Sequence, residues 1–551
     1  MASRVIIKLQ KGWKQEKNIW IKGQPFLGKE KLNPKDLLTF LEKAFDINRP
    51  HKLNVNLLLT LLKELRGFFS FLWDTGNEIV AFVDIIRTYP IFYSLTESKF
   101  LIYDSLLREA NPSEELLQIN LIEFALTGYV TGNETVWKKF QQLQAGEFFI
   151  YNKKTGDLRL LNYFLFMPFN PSQLKDLQIE DFKAILEEKI NLAIQRLIEF
   201  LNDRIAIIPL SGGWDSRTIL LLLKKFGYDR IVTFSYGKPN NIESKISKEV
   251  AQQLKVPWLF IEYSNQKWSQ FAQSSFCQQY FEFAHNGVSL PHIQDLLAVF
   301  ELLKRKPNLK EGVFVPGHSG DFVAGSHILR EYKHSKKISD LAKAIMATHY
   351  TLLDPKILVD FFPRLFNRTL VSESIETIRS KITKQLKSYF LSGEAVTPLT
   401  LLDLWDWRER QAKFIVNSIL VYNFLNSDTW LPLWDKDFVS FWNFIPYELR
   451  LNRKLFCFYL KELQKSMNCT VPITVTSLSK KIKALIPVSF KREVLRKIQK
   501  FYLPRDYSDH PLQWYGIWEP SQFNHLVKLN RNGLLNINSL LVLDLIRRFY
   551  A

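Results

Sequence analysis

The chain has 551 residues and a formal net charge of +19, with 74 Lys and Arg against 55 Asp and Glu. At roughly 100 to 200 residues per domain this length makes two to four domains and excludes a mini-protein or a lone binding module, while 46% hydrophobic and 14% aromatic residues exclude a disordered chain. The positive balance favours anionic partners (nucleotide, phosphorylated substrate, nucleic acid, acidic membrane face) without choosing among them, and the three cysteines, Cys277, Cys457 and Cys469, form no Cys-x-x-Cys pair, so neither a disulfide framework nor a structural zinc site is indicated.

Met1 to Gly12 lacks the apolar core and small-residue cleavage site of a signal peptide, and no run approaches the roughly 18 apolar residues of a membrane span. The expected compartment is therefore the cytoplasm. From Arg4 to Tyr163 short apolar or alternating runs such as Phe68 to Trp73, Ile79 to Val83 and Phe148 to Tyr151 are separated by turn residues like Thr75-Gly76-Asn77, which predicts antiparallel sheet. The texture changes after Phe169-Asn170-Pro171. Ile179 to Asn202 has helical spacing, Ile205 to Leu210 is an apolar run, and Asp215 to Phe226 reads as a helix stopped by Gly227. Strands over Ile231 to Tyr236, Trp258 to Tyr263 and Val313 to Pro316, with a helix over Ile242 to Leu254, continue an alternation that predicts a parallel sheet covered by helices. The remainder to about residue 470 reads as largely helical. Lys480 to Lys500 carries eight basic residues against the single acid Glu493; a solvated helix face is the plainer account, and contact with an anionic surface or nucleic acid the other.

Ser211-Gly212-Gly213-Trp214-Asp215-Ser216 falls between a predicted strand and a predicted helix, where backbone N–H groups and a helix N-terminus cradle anions. The glycines let backbone approach phosphate without an intervening Cβ, and the Ser211 and Ser216 hydroxyls can donate to phosphate oxygens. Asp215 is compatible with phosphate only if Mg²⁺ lies between them. The Gly-Lys-Ser ending of a Walker loop is absent, which leaves a pyrophosphate loop. An ordinary strand-to-helix turn capped by Asp215 is the plain alternative.

This loop, followed by Thr233-Phe234-Ser235-Tyr236-Gly237, resembles the synthetase domain of glutamine-dependent asparagine synthetases, within the ATP pyrophosphatase group. Pro316-Gly317-His318-Ser319-Gly320-Asp321-Phe322-Val323-Ala324-Gly325 is similar to that family's Ser-Gly-Glu-Gly-x-Asp-Glu-x-x-x-Gly segment, and Asp428-Thr429-Trp430-Leu431-Pro432-Leu433-Trp434-Asp435 to its Glu-x-Arg-x-Pro-Phe-Leu-Asp. Gly67 to Phe71, Asp84 to Tyr93 and Gly128 to Thr135 resemble landmarks of the family's glutaminase domain. The family's nucleophile is an amino-terminal cysteine with its own α-amino group as base; here the first residues are Met1-Ala2-Ser3, no cysteine precedes Cys277, and no Asn-Gly-Glu-Ile-type glutamine-binding segment is present.

The resemblance implies an α+β amino-terminal domain of antiparallel sheets, Ntn-hydrolase-like but degenerate as a glutaminase, over residues 1–168. It implies an α/β ATP pyrophosphatase domain with a parallel sheet over 169–475, and leaves a basic, mainly helical extension over 476–551. It assigns Leu210, Tyr236 and Gly317 to the nucleotide, Ser211, Gly212, Gly213, Asp215 and Ser216 to pyrophosphate, and Asp215 with Asp321 to Mg²⁺. Asp321, Lys454 and His318 are the implied catalytic residues. His318 stands where the family has glutamate and is a candidate base for an incoming amine, or a histidine bonded in a turn. Lys454 stands where the family keeps a lysine against developing charge, although Arg450 and Arg453 make a plain basic helix face an equal account. Trp430, His285 and His292 are expected to be structural. The implied function is a Mg-ATP-dependent amide-forming ligase that activates a small-molecule carboxylate as its adenylate and transfers ammonia or an amine. A homodimer is left open, and no nucleic-acid partner is expected. The alternatives are a cyclase or sugar-acid amidotransferase with the same adenylate chemistry and, in a different class, a PP-loop RNA-modifying enzyme.

Overall fold

The computed structural model describes residues 4–46, 49–106, 115–169, 177–390, 396–472, 514–529 and 537–551. The basic stretch Lys480 to Lys500 lies outside them. In the amino-terminal part, β1 (Ile19–Leu27), β2 (Leu65–Asp74), β3 (Glu78–Val83) and β4 (Glu147–Asn152) are the middle of a seven-stranded antiparallel sheet. The tight connection Thr75-Gly76-Asn77 joins β2 to β3, with Thr75 N–H donating to the Glu78 carbonyl at 2.9 Å. A four-stranded sheet packs on one face of it. There the expectation of purely antiparallel pairing needs one amendment, because Arg4–Lys8 runs parallel to Lys99–Tyr103.

Both faces of β2 to β4 are covered. Leu72, Ile79, Ala81, Phe149 and Tyr151 pack against Tyr93, Phe100 and Ile102 of the smaller sheet, and Phe71, Phe82 and Phe148, cross-strand partners in register, join the main core on the opposite face. Two buried faces explain why these runs read as continuous apolar stretches rather than alternating ones.

In the second part, β5 (Ala206–Pro209), β6 (Ile231–Gly237), β7 (Trp258–Glu262), β8 (Val313–Phe314) and β9 (Asp428–Thr429) form one parallel sheet in the order β7-β6-β5-β8-β9. Its helices include α1 (Ile179–Leu201), α2 (Asp215–Lys225) and α3 (Ile242–Gln253), with α4 (Lys454–Ser466) and α5 (Ile537–Phe549) following the sheet in the chain. The chain leaves β5 towards β6 and β7, then returns to place β8 on the other side of β5. That reversal is a topological switch point, and the loops at the carboxyl ends of β5 and β8 flank the crevice it opens.

The two parts are joined by buried charge. Arg196 of α1 donates through Nε to Asp435 Oδ2 at 2.7 Å and through Nη2 to Asp435 Oδ1 and Asp437 Oδ2, both at 2.6 Å, while Nη1 reaches the Gly28 carbonyl beside β1. Arg66 of β2 completes the group by donating to Asp437 Oδ1 at 2.7 Å. Among the described residues no helix is long and apolar enough to cross a membrane.

Candidate active site

The loop after β5 curls around its own hydroxyls. Ser211 N–H donates to Ser216 Oγ and Gly213 N–H to Ser211 Oγ, each at 3.2 Å. The loop runs into α2, whose first turn leaves backbone N–H groups without helical partners. Gly212 N–H donates instead to Glu243 Oε2 of α3 at 2.6 Å, so a carboxylate holds a donor that a phosphate would take. Arg217, buried on α2, latches the loop by donating to the Val471 carbonyl at 2.7 Å and the Gly212 carbonyl at 3.4 Å.

The loop after β8 packs directly on this one. A methyl group on Gly317 would lie 2.5 Å from Ser216 N, closer than any side chain tolerates, so glycine here is a requirement of the close approach. The approach brings the two carboxylates together: Asp321 N–H donates to Asp215 Oδ2 at 3.1 Å, and Arg453 Nη1 lies 3.5 Å from Asp215 Oδ1. Burial, and then the charge of Asp321, push the Asp215 carboxyl well above the usual carboxylate range. Desolvation also works against the Asp321 carboxylate, which stays partly exposed, but the bond and charge of His327, with Arg453, hold it low. His327 stands between Asp321 Oδ2, 3.7 Å from its Nε2, and Asp406 Oδ2, 2.8 Å from its Nδ1. Against the cost of burial these carboxylates raise His327 to about 9, so it is an imidazolium at neutral pH.

Asp406 opens a π-helical stretch, Asp406–Ile415, a wide turn of the kind found at functional sites. Asp406, Arg410, Gln411, Phe414 and Ile415 border the site: Gln411 accepts from Ser319 Oγ at 2.8 Å, and Arg410, Phe414 and Ile415 line the cavity. Trp407, Arg408, Glu409 and Lys413 grip the amino-terminal part instead. Trp407 Nε1 donates to the Ile85 carbonyl at 2.9 Å, Arg408 to Glu147 at 3.1 Å, and Lys413 Nζ to the Gly132 carbonyl at 2.7 Å, while Glu409 accepts from Gly132 N–H at 2.9 Å.

The loops and the π helix enclose a cavity of about 1040 Å³. Of the residues expected from the sequence, Ser211, Gly213, Asp215, Ser216, Tyr236, Gly317, His318 and Asp321 line it. Leu210 is buried behind the loop, its N–H bonded to the Phe234 carbonyl at 2.8 Å. Lys454 is exposed at the start of α4 and does not line the cavity; its neighbour Arg453 reaches Asp215 instead. Left-handed backbone at both Asn452 and Arg453, with φ of 55° and 59°, sets that presentation and has no signature in side-chain spacing.

His318 is pushed down to about 4 by burial and then by His292, against the opposing pull of Asp295 and Asp321, and its Nε2 lies 2.9 Å from Ser418 Oγ. His292, expected to be structural, lines the cavity, whereas His285 is fully buried and held by the Ser289 carbonyl and the Tyr550 hydroxyl. Trp430 packs in the core against Phe26, Phe68 and Phe200, beside a second cavity of about 1090 Å³ that shares no lining residue with the first. Ile537 and Asn538, at the start of α5, close part of the first cavity.

Residues 205–294 match the protein-family model described as "Queuosine biosynthesis protein QueC". A stretch of 93 residues is 32% identical to the 7-cyano-7-deazaguanine synthase of Staphylococcus aureus (strain bovine RF122 / ET3-1), covering 17% of this chain and 41% of that enzyme. The chain thus spans about two fifths of the length of this curated relative. Among solved structures, a glutamine-dependent NAD+ synthetase from Acinetobacter baumannii in complex with ADP matches at 16% identity over 56% of this chain and 67% of that one, with a TM-score of 0.20. The allosteric regulatory enzyme of purine biosynthesis matches at 9% identity over 44% and 69%, with a TM-score of 0.19. At such TM-scores these two likenesses carry no argument. By these matches the segment from β5 to the loop beyond β7 is similar to enzymes of the PP-loop ATP pyrophosphatase type.

Proposed function

We propose that the protein is a Mg-ATP-dependent, amide-forming ligase of the asparagine synthase type, which activates a carboxylate as its acyl adenylate and passes the acyl group to ammonia or an amine. The observation that carries this reading is the convergence of Asp215 and Asp321, from the loops after β5 and β8, over a phosphate-cradling backbone at a switch point. On this reading Ser211, Gly212, Gly213 and Ser216 receive the pyrophosphate, and Leu210, Tyr236 and Gly317 border the nucleotide. His318 borders the acceptor, and Arg453 takes the part expected of Lys454 beside the metal carboxylates. Residues 1–168 form a glutaminase-like domain without the cysteine chemistry, 169–475 the synthetase domain and 476–551 an extension.

The residues present suit magnesium. The charge of Asp321 works against that of Asp215, and a divalent ion between them would relieve that repulsion. Two protein carboxylates would leave the rest of a magnesium ion's shell to phosphate and water. Mg²⁺ bound with ATP would neutralise the charge of the leaving pyrophosphate. The chain's own part is to orient the α-phosphorus towards the substrate carboxylate, to hold Asp321 in place through the His327 imidazolium, and to exclude water from the adenylate.

A screen of carboxylates with Mg-ATP, with and without ammonia, tests this: pyrophosphate and AMP should appear together with an amide. Glutamine should not be hydrolysed to glutamate, because the amino-terminal sheets contain no cysteine. ADP and orthophosphate as products, or glutamate from glutamine alone, would overturn the reading.

A further inference from the structure

His292 and Asp295 sit in the short connection after the helix Ser275–His285, and both line the cavity that holds the Asp215 and Asp321 pair. Asp295 is buried, and its Oδ2 accepts the Tyr422 hydroxyl at 2.5 Å. Its other oxygen, Oδ1, is buried without a hydrogen bond and lies 3.3 Å from His292 Nε2. The His292 backbone is fixed as well, because its carbonyl accepts from the Tyr280 hydroxyl. A half-exposed imidazole beside a buried carboxylate, the carboxylate in turn oriented by a third group, is the arrangement that sets a histidine to take up a proton.

We propose that His292 is the general base that deprotonates the incoming nitrogen nucleophile, and that Asp295 and Tyr422 position it. The proposal rests on the adenylate reading above. With Nε2–H directed to Asp295, Nδ1 is the ring nitrogen left to accept a proton, and it has no hydrogen-bond partner among the described residues. An ammonium ion gives one proton to His292 Nδ1, and the lone pair so freed attacks the acyl carbon of the adenylate. The C–O bond to AMP breaks and AMP departs with that electron pair. The second proton lost by the new amide nitrogen passes to solvent. Asp295 compensates the imidazolium while it exists. His318 is the poorer candidate, because its Nε2 is engaged with Ser418 and its surroundings resist a positive charge.

The test uses the full chain with aspartate, glutamate, succinate and citrate as carboxylate probes, and with either ammonium chloride or hydroxylamine as the nitrogen probe. Hydroxylamine is unprotonated at neutral pH and needs no base. In His292→Asn, ATP–pyrophosphate exchange should stay within about twofold of wild type. Amide formation from ammonium should fall by a factor of about 100 or more, and hydroxamate formation should be largely retained. Asp295→Asn should show the same split in smaller degree. Unchanged amide formation in His292→Asn, or exchange and both transfers falling together, would overturn the role of His292 while the ligase reading stood. A wild-type chain inert in exchange with every probe would refute the ligase reading, and the role of His292 with it.

Discussion

Asp215 is raised well above the usual carboxylate range by burial and then by the charge of Asp321. On the ligase reading, its carboxylate and that of Asp321 together would draw a cation against the leaving pyrophosphate. Asp215→Asn and Asp321→Asn are each expected to abolish pyrophosphate release with the fold intact, and the double variant should be little worse than either single one, since parts that act as a unit are strongly non-additive. Steady-state pyrophosphate assays on the three variants check this, and near-normal turnover in either single variant would remove that residue from the site. Glu243 offers a different test. Its carboxylate occupies the Gly212 N–H, so ATP must displace a charge-assisted hydrogen bond of about 1 to 2 kcal/mol before its phosphates can use that donor. Glu243→Gln should therefore bind Mg-ATP several-fold more tightly by titration calorimetry. Weaker binding would mean that the carboxylate shapes the loop for its ligand rather than competing with it.

At the scale of elements, the sequence reading is best where local chemistry decides. The strand-loop-helix unit from Ala206 to Lys225 and the helix-strand alternation to Glu262 lie within a residue or two of expectation, because apolar runs bounded by Gly and Asp carry their own start and stop signals. The fifth parallel strand, Asp428–Thr429, has only two residues and exists because β8 offers an edge, a fact no local window contains. The π turn escapes for a similar reason, since its residues are held from two sides by distant partners. His327 follows Asp321 by six positions and was within reach of sequence reasoning, but its partner Asp406 was not. Helix α5 carries a prediction of its own. Tyr550, which follows it, binds the buried ring of His285, and burial pushes that ring down to about 4. The unfolded chain, with an ordinary imidazole near 6.5, then binds more protons between those two values. Stability is thus fully present above about pH 6.5 and is lost as pH falls towards 4, by roughly 3 kcal/mol in all. Urea midpoints measured at pH 7 and pH 5 should differ less in His285→Gln than in wild type, and an equal difference would show that His285 does not govern the acid limb.

For the molecule as a whole, a charged cluster with Arg196 and Asp435 buried at its centre sits at the joint between the two parts, and breaking such a cluster from one side is costly. Arg196→Met would leave Asp435 and Asp437 without their principal counter-charge, and about 3 to 5 kcal/mol of stability should be lost. Asp435→Asn in the same chain should restore part of it, because the amide keeps an oxygen for the Asp437 N–H at the start of the helix Lys436–Trp442 while removing the stranded charge. Chemical denaturation of wild type, single and double variants checks the order, and a double variant weaker than the single one would show that the charge balance is not what matters there. Asp435 closes the Asp428 to Asp435 segment that carries part of the resemblance to the synthetase domain. In the fold it serves the joint, which no reading of spacing could reveal.

The π turn also makes the candidate site vulnerable in a way that no side-chain substitution would. A helix advances about 100° per residue, so removing a single amino acid between Asp406 and Ile415 would turn every later position of that segment by roughly this angle while leaving composition, charge and helical content almost unchanged. Lys413 would leave the carbonyls of the amino-terminal part, and Phe414 and Ile415 would swing away from the cavity wall. A one-codon deletion here should therefore read out as two apparently unrelated defects, a loosened amino-terminal half and a misshapen cavity wall, inherited together from one event.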